Sequence, residues 1–288
     1  MHYSELNYNS SQAIRGFLEA RGIRLQKRFG QNFLVDPHKR AAICRLIPAE
    51  AGQPIWEIGP GIGALTHELL QRGDQLTLFE IDYGLIAILQ ELFADDPVAV
   101  VAGDCVTTLP EVWQASARPA AVVGNLPYNA ASAILMAMLE GGMLPPRLIT
   151  MVQRESALRM TARPGSKDYS AYSVACQARS RVSLCFDVPP EAFFPRPEVV
   201  STVVQLVPLD AEPDLPPWFS PLVRRAFSSR RKTLRNNMKN GELYPGITGE
   251  MVLEAALGLG IAPETRAERI GVDEFIQLSR AVARQGCS

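Results

Sequence analysis

Short apolar runs punctuate the first two-thirds of the chain: PIWEI (54–58), QLTLFEI (75–81), VAVVA (98–102), AAVVG (120–124) and RLITMV (147–152). Each has strand length and most are rich in β-branched residues, so each reads as a strand. Between them, ALTHELLQR (64–72), YGLIAILQELF (83–93) and AASAILMAMLE (130–140) carry helical patterns. The alternation predicts βαβ units, and so a parallel sheet with helices on both faces. RVSLCFDV (181–188) and VVSTVVQLV (199–207) follow with a Pro-rich connector between them and suit an antiparallel pair closing the sheet. Ahead of the first strand, SSQAIRGFLEARG (10–22) reads as an amphipathic helix with a Ser cap and a Gly stop, and Asp36 caps a second running to about Ile47. LDAEPDLPPW (209–218) is a Pro- and acid-rich linker, which sets a domain boundary. The rest reads as four or five helices, the last near 272–285. The expected domains are therefore 1–208, with 1–23 as an extension, and 209–288.

With 288 residues, 47% of them hydrophobic, the chain can fill one α/β core and a small second unit. Its net charge of −1 says nothing about partners, but the distribution does. From Ser220 to Asn240 there are seven basic residues (Arg224, Arg225, Arg230, Arg231, Lys232, Arg235 and Lys239) and no acidic one. Arg21, Arg24, Lys27 and Arg28 form a second basic group. The five cysteines show no C-x₂-C spacing and no zinc-finger His partner, which fits buried thiols in a reducing compartment. The three scattered histidines support neither a metal site nor a Ser-His-Asp triad. No stretch has the length of a membrane span and residues 1–20 lack a signal-peptide core, so we expect a soluble, cytoplasmic protein.

The chemistry sits where the first four strands end. The first runs into EIGPGIGALT, with glycines at 59, 61 and 63; the second ends in Glu80, the third in Asp104 and the fourth in Asn125. Gly59 to Glu80 is 21 residues, Glu80 to Asp104 is 24 and Asp104 to Asn125 is 21, about one βα unit each. In a doubly wound sheet those ends share one edge, where ligands bind. The glycine loop alone fits a plain tight turn or a nucleotide cofactor site such as that for NAD, and Glu80 suits the ribose hydroxyls of any such cofactor. Asp104, suited to the amine of an adenine ring, and the turn Gly-Asn-Leu-Pro-Tyr (124–128) tilt the balance away from hydride transfer.

An adenine N6 lone pair is delocalised into the ring and is a poor nucleophile. The side-chain carbonyl of Asn125 and the backbone carbonyl of Leu126 or Pro127 can accept its N–H bonds, which localises the lone pair and offsets charge building on nitrogen. Pro127 fixes the turn, and Tyr128 can stack on an extruded base. No strong general base is needed, because the alkylated amine is acidic enough to lose its proton to water.

At these residues the chain resembles the bacterial ribosomal RNA adenine N6-dimethyltransferases of the kasugamycin-sensitivity type, relatives of the erythromycin-resistance methylases. The resemblance spans roughly 24–285 and rests on KRFGQNFLVD (27–36), EIGPGIGALT (57–66), FEID (79–82), AGDC (102–105), GNLPYNAAS (124–132), MVQRESALRM (151–160), RPGSKDYSAYSV (163–174), VPPEAFFPRP (188–197) and FSSRRKTLRNNMK (227–239). It implies a Rossmann-like class I methyltransferase fold, α/β with a mostly parallel seven-stranded sheet, plus a small C-terminal all-α domain for RNA and ribosome recognition. It also implies S-adenosylmethionine as methyl donor, no metal, and two adjacent adenines in the 3′-terminal hairpin of small-subunit (16S) rRNA as targets. Asn32 and Leu34 would help close the cofactor pocket. Gly59 and its loop, including Gly61, would carry the methionine moiety, Glu80 the ribose and Asp104 the adenine. Asn125, Leu126, Pro127 and Tyr128 would form the amine-binding motif, and Phe193 would sandwich the base opposite Tyr128.

The basic tract, with Arg230, Arg231, Lys232 and Arg235, would touch RNA of the small subunit, and we expect a monomer away from membranes. Glu198 stands where a basic residue is common, and Ala130 and Ala131 replace bulkier residues. The alternatives are a resistance-type methylase of large-subunit rRNA, a non-catalytic ribosome-assembly factor and, more remotely, a DNA adenine methylase or an NAD enzyme.

Overall fold

The computed structural model describes residues 6–25, 30–48, 50, 52–211, 213–239 and 241–285. Lys27, Arg28 and Cys287 lie outside them. Helix α1 (Ser11–Ala20) starts where the Ser10 hydroxyl accepts from the Ala13 amide, and it buries Ile14, Phe17 and Leu18 on one face. The two-residue strand β1 (Phe33–Leu34) leads into α2 (Pro37–Cys44), which opens on a proline and is capped by the Asp36 carboxylate.

The βα alternation then runs as the apolar pattern predicts: β2 (Pro54–Ile58), α3 (Ala64–Leu70), β3 (Gln75–Glu80), α4 (Tyr83–Leu92), β4 (Val98–Ala102), α5 (Cys105–Ala115), β5 (Ala121–Asn125), α6 (Ala131–Glu140) and β6 (Leu148–Gln153). Helix α5 is the member that the pattern does not reveal. Val106, Thr107 and Thr108 are β-branched and Pro110 lies inside it, so its intrinsic propensity is poor. Asp104 starts it, accepting from the Val106 amide at 2.9 Å. Strand β6 passes into α7 (Arg154–Met160) with no glycine or proline to mark the change, and α8 (Ala171–Arg179) follows. Strands β7 (Ser180–Val188), β8 (Phe193–Phe194) and β9 (Ser201–Pro208) complete this part of the chain.

The main sheet has seven strands in the order β4-β3-β2-β5-β6-β9-β7. The first five are parallel, β9 runs antiparallel to β6, and β7 lies beyond it at the edge. Ile58 pairs with Phe79 on one side and with Gly124 on the other, so these strands end level with one another.

The chain divides into two compact units, Met1–Ala157 with Ser183–Val207, and Leu158–Val182 with Pro208–Ser288. The second thus takes up a stretch from within the expected first domain: Tyr169, Val174 and Ala178 pack in one cluster with Leu222, Ala256 and Phe275. It holds α9 (Phe219–Ala226), α10 (Leu234–Met238), α11 (Gly249–Gly258) and α12 (Val272–Gln285). A ribbon of β10 (Glu242–Tyr244) and β11 (Ile247–Thr248), turning at Pro245–Gly246, separates α10 from α11. Among the described residues, no helix is long and apolar enough to cross a membrane.

The N-terminal extension is part of the first unit's core, contributing Leu6, Tyr8, Ile14, Phe17 and Leu18. Arg40, 2% exposed, joins it to the rest. Its guanidinium donates to the Asn9 side-chain oxygen at 2.6 Å, to the Leu34 carbonyl at 2.9 Å and to the Glu68 carboxylate at 3.2 Å. Replacing it strands three acceptors in poorly hydrated surroundings. Arg40→Ala is expected to lower unfolding free energy by about 3 kcal/mol in a urea titration; a loss within error would show that the triple contact does not hold the extension.

Candidate active site

At the carboxyl edge of the parallel strands lies a cavity of ≈ 310 Å³, built entirely from the first unit. The loop after β2 forms its floor. Gly59 and Gly61 both adopt positive φ, +70° and +62°. A Cβ on Gly61 would lie 2.8 Å from the Phe33 ring, so only glycine lets residues 30–34 cross the loop this closely.

Glu80 closes one side. It is buried, and its Oε1 accepts from the amides of Ile81 (2.9 Å) and Asp82 (3.0 Å), while Oε2 takes a longer contact from Gly61 (3.4 Å). Burial raises its pKa above the ordinary carboxylate value, and the three amides oppose that shift. Asp104 is exposed at the rim and commits Oδ1 to the Val106 amide.

Asn125 ends β5 and faces the cavity. Its Nδ2 donates to the backbone carbonyl of Asn32 at 2.6 Å. A carbonyl can only accept, so the amide must turn its NH₂ towards Asn32 and leave Oδ1 directed elsewhere as an acceptor. The Pro127 carbonyl takes the amides of Ala130 (2.9 Å) and Ala131 (2.8 Å) at the start of α6, whereas no donor to the Leu126 carbonyl is found among the described residues. Pro127 and Ala130 line the cavity, and the Leu126 side chain is buried. Half-buried Tyr128 shares a 2.6 Å hydrogen bond with the Ser201 hydroxyl, and burial raises its pKa.

Asn32 and Leu34 line the cavity from the strap that β1 forms. The Gln31 side chain fastens that strap to the Asp82 carboxylate at 2.7 Å, and β1 pairs antiparallel with β8. That pairing sets Phe193 opposite Leu34, in the core and 3% exposed. Neither Tyr128 nor Phe193 is among the residues that line this cavity. Glu198 is exposed.

In the second unit the four cations of the basic tract are exposed but not equivalent. Arg230 pairs with Glu268 and Arg235 with Glu264, each at 2.8 Å. Arg231 and Lys232 have no ion pair among the described residues.

Residues 22–284 match the family described as ribosomal RNA adenine dimethylase. A protein of Treponema pallidum named ribosomal RNA small subunit methyltransferase A is 42% identical over 279 residues, 95% of this chain and 96% of its own length. A crystal structure of a dimethyladenosine transferase from Plasmodium falciparum matches with a TM-score of 0.71 at 22% identity, over 87% of this chain and 97% of that one. The 23S rRNA methyltransferase ErmE matches with a TM-score of 0.59 at 24% identity, over 87% and 99%. At those identities the two structures speak for the fold alone.

Of the carboxylates in the cavity wall, the strand signals omit Glu57. It is 2% exposed, and its Oε2 accepts from the Thr66 hydroxyl at 2.7 Å. The available clue was a carboxylate inside an apolar strand, PIWEI. Burial first, and then the charge of Glu80, raise its pKa to about 7, while the Thr66 bond opposes them. A carboxylate with a raised folded pKa binds more protons when folded than when unfolded, so stability falls as pH rises from the unfolded value towards about 7 and then levels off. Glu57→Gln removes that slope. The protein without cofactor should lose up to roughly 3 kcal/mol between acid and neutral pH and the variant much less; parallel slopes in denaturant titrations would contradict the assignment.

Proposed function

This chain belongs to the ribosomal RNA adenine dimethylase family, and we propose that it methylates two adjacent adenines in the 3′-terminal hairpin of small-subunit (16S) rRNA, each twice on N6, with S-adenosylmethionine as donor. The observation that carries this reading is the Asn125 amide, locked by the Asn32 carbonyl so that its own carbonyl is free at the cavity. The Treponema relative named for the small subunit, 42% identical, supports that subunit as substrate. Such work belongs in the cytoplasm and needs one copy of the chain.

The cavity suits the donor. Glu80 Oε2, with only its 3.4 Å contact to the Gly61 amide, has room to accept from ribose hydroxyls. Asp104 Oδ1 caps α5, which leaves Oδ2 for the amine of the donor's adenine. Gly59 and Gly61 bring backbone against the methionine part, and Asn32 and Leu34 cover it. When bound, S-adenosylmethionine supplies an electrophilic methyl group.

The chain's own residues prepare the nucleophile. Asn125 Oδ1 and the Leu126 carbonyl accept the two N–H bonds of the target amine; the Pro127 carbonyl is already occupied by the turn. These acceptors draw the lone pair out of the ring and meet the positive charge that grows on nitrogen. For the second transfer one N–H remains, and one acceptor suffices. Ser201 holds the Tyr128 hydroxyl and so sets the ring against the extruded base. Phe193, on the strand that pairs with the strap, would flank the same base from the opposite side. In the second unit Arg230, Arg231, Lys232 and Arg235 meet RNA phosphates, Arg231 and Lys232 without first giving up a carboxylate.

Incubating the protein with labelled S-adenosylmethionine and unmethylated small or large subunits tests the function: label should enter small-subunit RNA as dimethyladenine, and exclusive labelling of the large subunit would refute the reading. Glu80→Ala should weaken donor binding by about 2–3 kcal/mol in calorimetry. Asn125→Ala should keep donor affinity within a few-fold while single-turnover methylation falls on the order of 100-fold; a near-normal rate would remove Asn125 from the chemistry.

A further inference from the structure

Among the motifs behind the family resemblance, RPGSK (163–167) takes no part in the cavity, although all five of its residues are exposed. It lies in the second unit, far in sequence from the basic tract, yet the fold joins the two. Arg230 bridges them: its Nη2 donates to the Ser166 carbonyl at 2.9 Å and its Nε to the Glu268 carboxylate at 2.8 Å. The Gly165 amide donates to the Glu268 carbonyl at 2.6 Å. A Cβ on Gly165 would lie 3.1 Å from Arg269 Nη1, so that guanidinium also rests against the loop.

The loop is anchored from below. Tyr169 is fully buried, donates its hydroxyl to the Ile270 carbonyl at 3.0 Å and sets its ring edge-on to Phe227 at 5.8 Å. Solvated charged loops need no such foundation. Through Arg230 the loop that carries Arg163 and Lys167 is bonded to the turn that carries Arg231 and Lys232. Among the described residues none of these four cations has an ion pair, and Glu268, the carboxylate beside them, is spent on Arg230. Asp168, half-buried, is the loop's own carboxylate.

We propose that the 163–167 loop and the 229–232 turn form one phosphate-docking surface for RNA, to which Arg163 and Lys167 add contacts that the C-terminal tract does not supply. The inference rests on the reading that the tract docks rRNA. Four exposed cations without ion pairs, on two segments that Arg230 ties together, suit a sugar–phosphate backbone, whose contacts position a substrate without reading its sequence.

The test measures binding of the full-length protein to unmethylated small subunits at several salt concentrations. Three forms are compared: wild type, the loop pair Arg163→Ala/Lys167→Ala, and the tract pair Arg231→Ala/Lys232→Ala. The loop pair should weaken binding and make the slope of log affinity against log salt shallower by about 1.4–1.8. Its S-adenosylmethionine affinity and melting temperature should stay at wild-type values. Lys167→Glu alone should weaken binding more than Lys167→Ala. A wild-type slope for the loop pair, with a shallower slope for the tract pair, would overturn this inference and leave the tract's role standing. Wild-type slopes for both would overturn both.

Discussion

Parallel pairing of β2 with β3 and β5, extended to β4 and β6, is the constraint on which the site depends. A chain that pairs in parallel must return through a crossover each time, so every strand of the set ends on one edge. Gly59, Glu80, Asp104 and Asn125 come together for that reason, although 66 residues separate the first from the last. The turns at that edge also start the next helices. Asp82 and Asp104 cap α4 and α5 with the same short loops that present Glu80 and Asp104 to the cavity. Local capping and convergence of the site are thus one arrangement.

That dependence explains what was legible in the sequence. Strands β2 to β6 are short apolar runs that alternate with helical segments, so the parallel sheet and its shared edge followed from the pattern, while the lateral order of the strands did not. Helix α5 was not legible, because its β-branched start and Pro110 argue against a helix that the Asp104 cap and its place in the sheet impose. Nor was α7, since β6 runs into it without a turn residue. Partners distant in sequence were out of reach altogether. Nothing in NLPY points to Asn32, 93 residues away, or to Ser201, 73 residues away, yet these fix the Asn125 amide and the Tyr128 hydroxyl. The resemblance gave Phe193 a place beside the base, but not its partner Leu34, which the β1–β8 ladder sets opposite it.

The cavity wall holds two buried carboxylates, Glu57 and Glu80, and their surroundings divide them. Glu80 receives three backbone amides, which favour its charged form against burial. Glu57 has one hydroxyl donor to oppose its burial, and burial together with the charge of Glu80 raises its pKa to about 7. A carboxylate held by amides and a proton-sensitive neighbour therefore share one wall, and the difference comes from amide donors that the Gly61 turn and the start of α4 provide.

Charge in the second unit shows why counting cations is a coarse guide to RNA contact. The seven basic residues between Ser220 and Asn240 stand without an acidic neighbour only along the sequence. In space Arg230 and Arg235 meet Glu268 and Glu264, carboxylates that the chain delivers from beyond α11. An arginine so paired exchanges one anion for another when it meets a phosphate, which lowers its net gain, whereas an unpaired cation gives up only mobile counterions. The Glu268 pair has a second consequence. By engaging Glu268 and the Ser166 carbonyl together, Arg230 holds the 163–167 loop against the 229–232 turn, so its guanidinium serves the geometry of its neighbours as well as carrying charge.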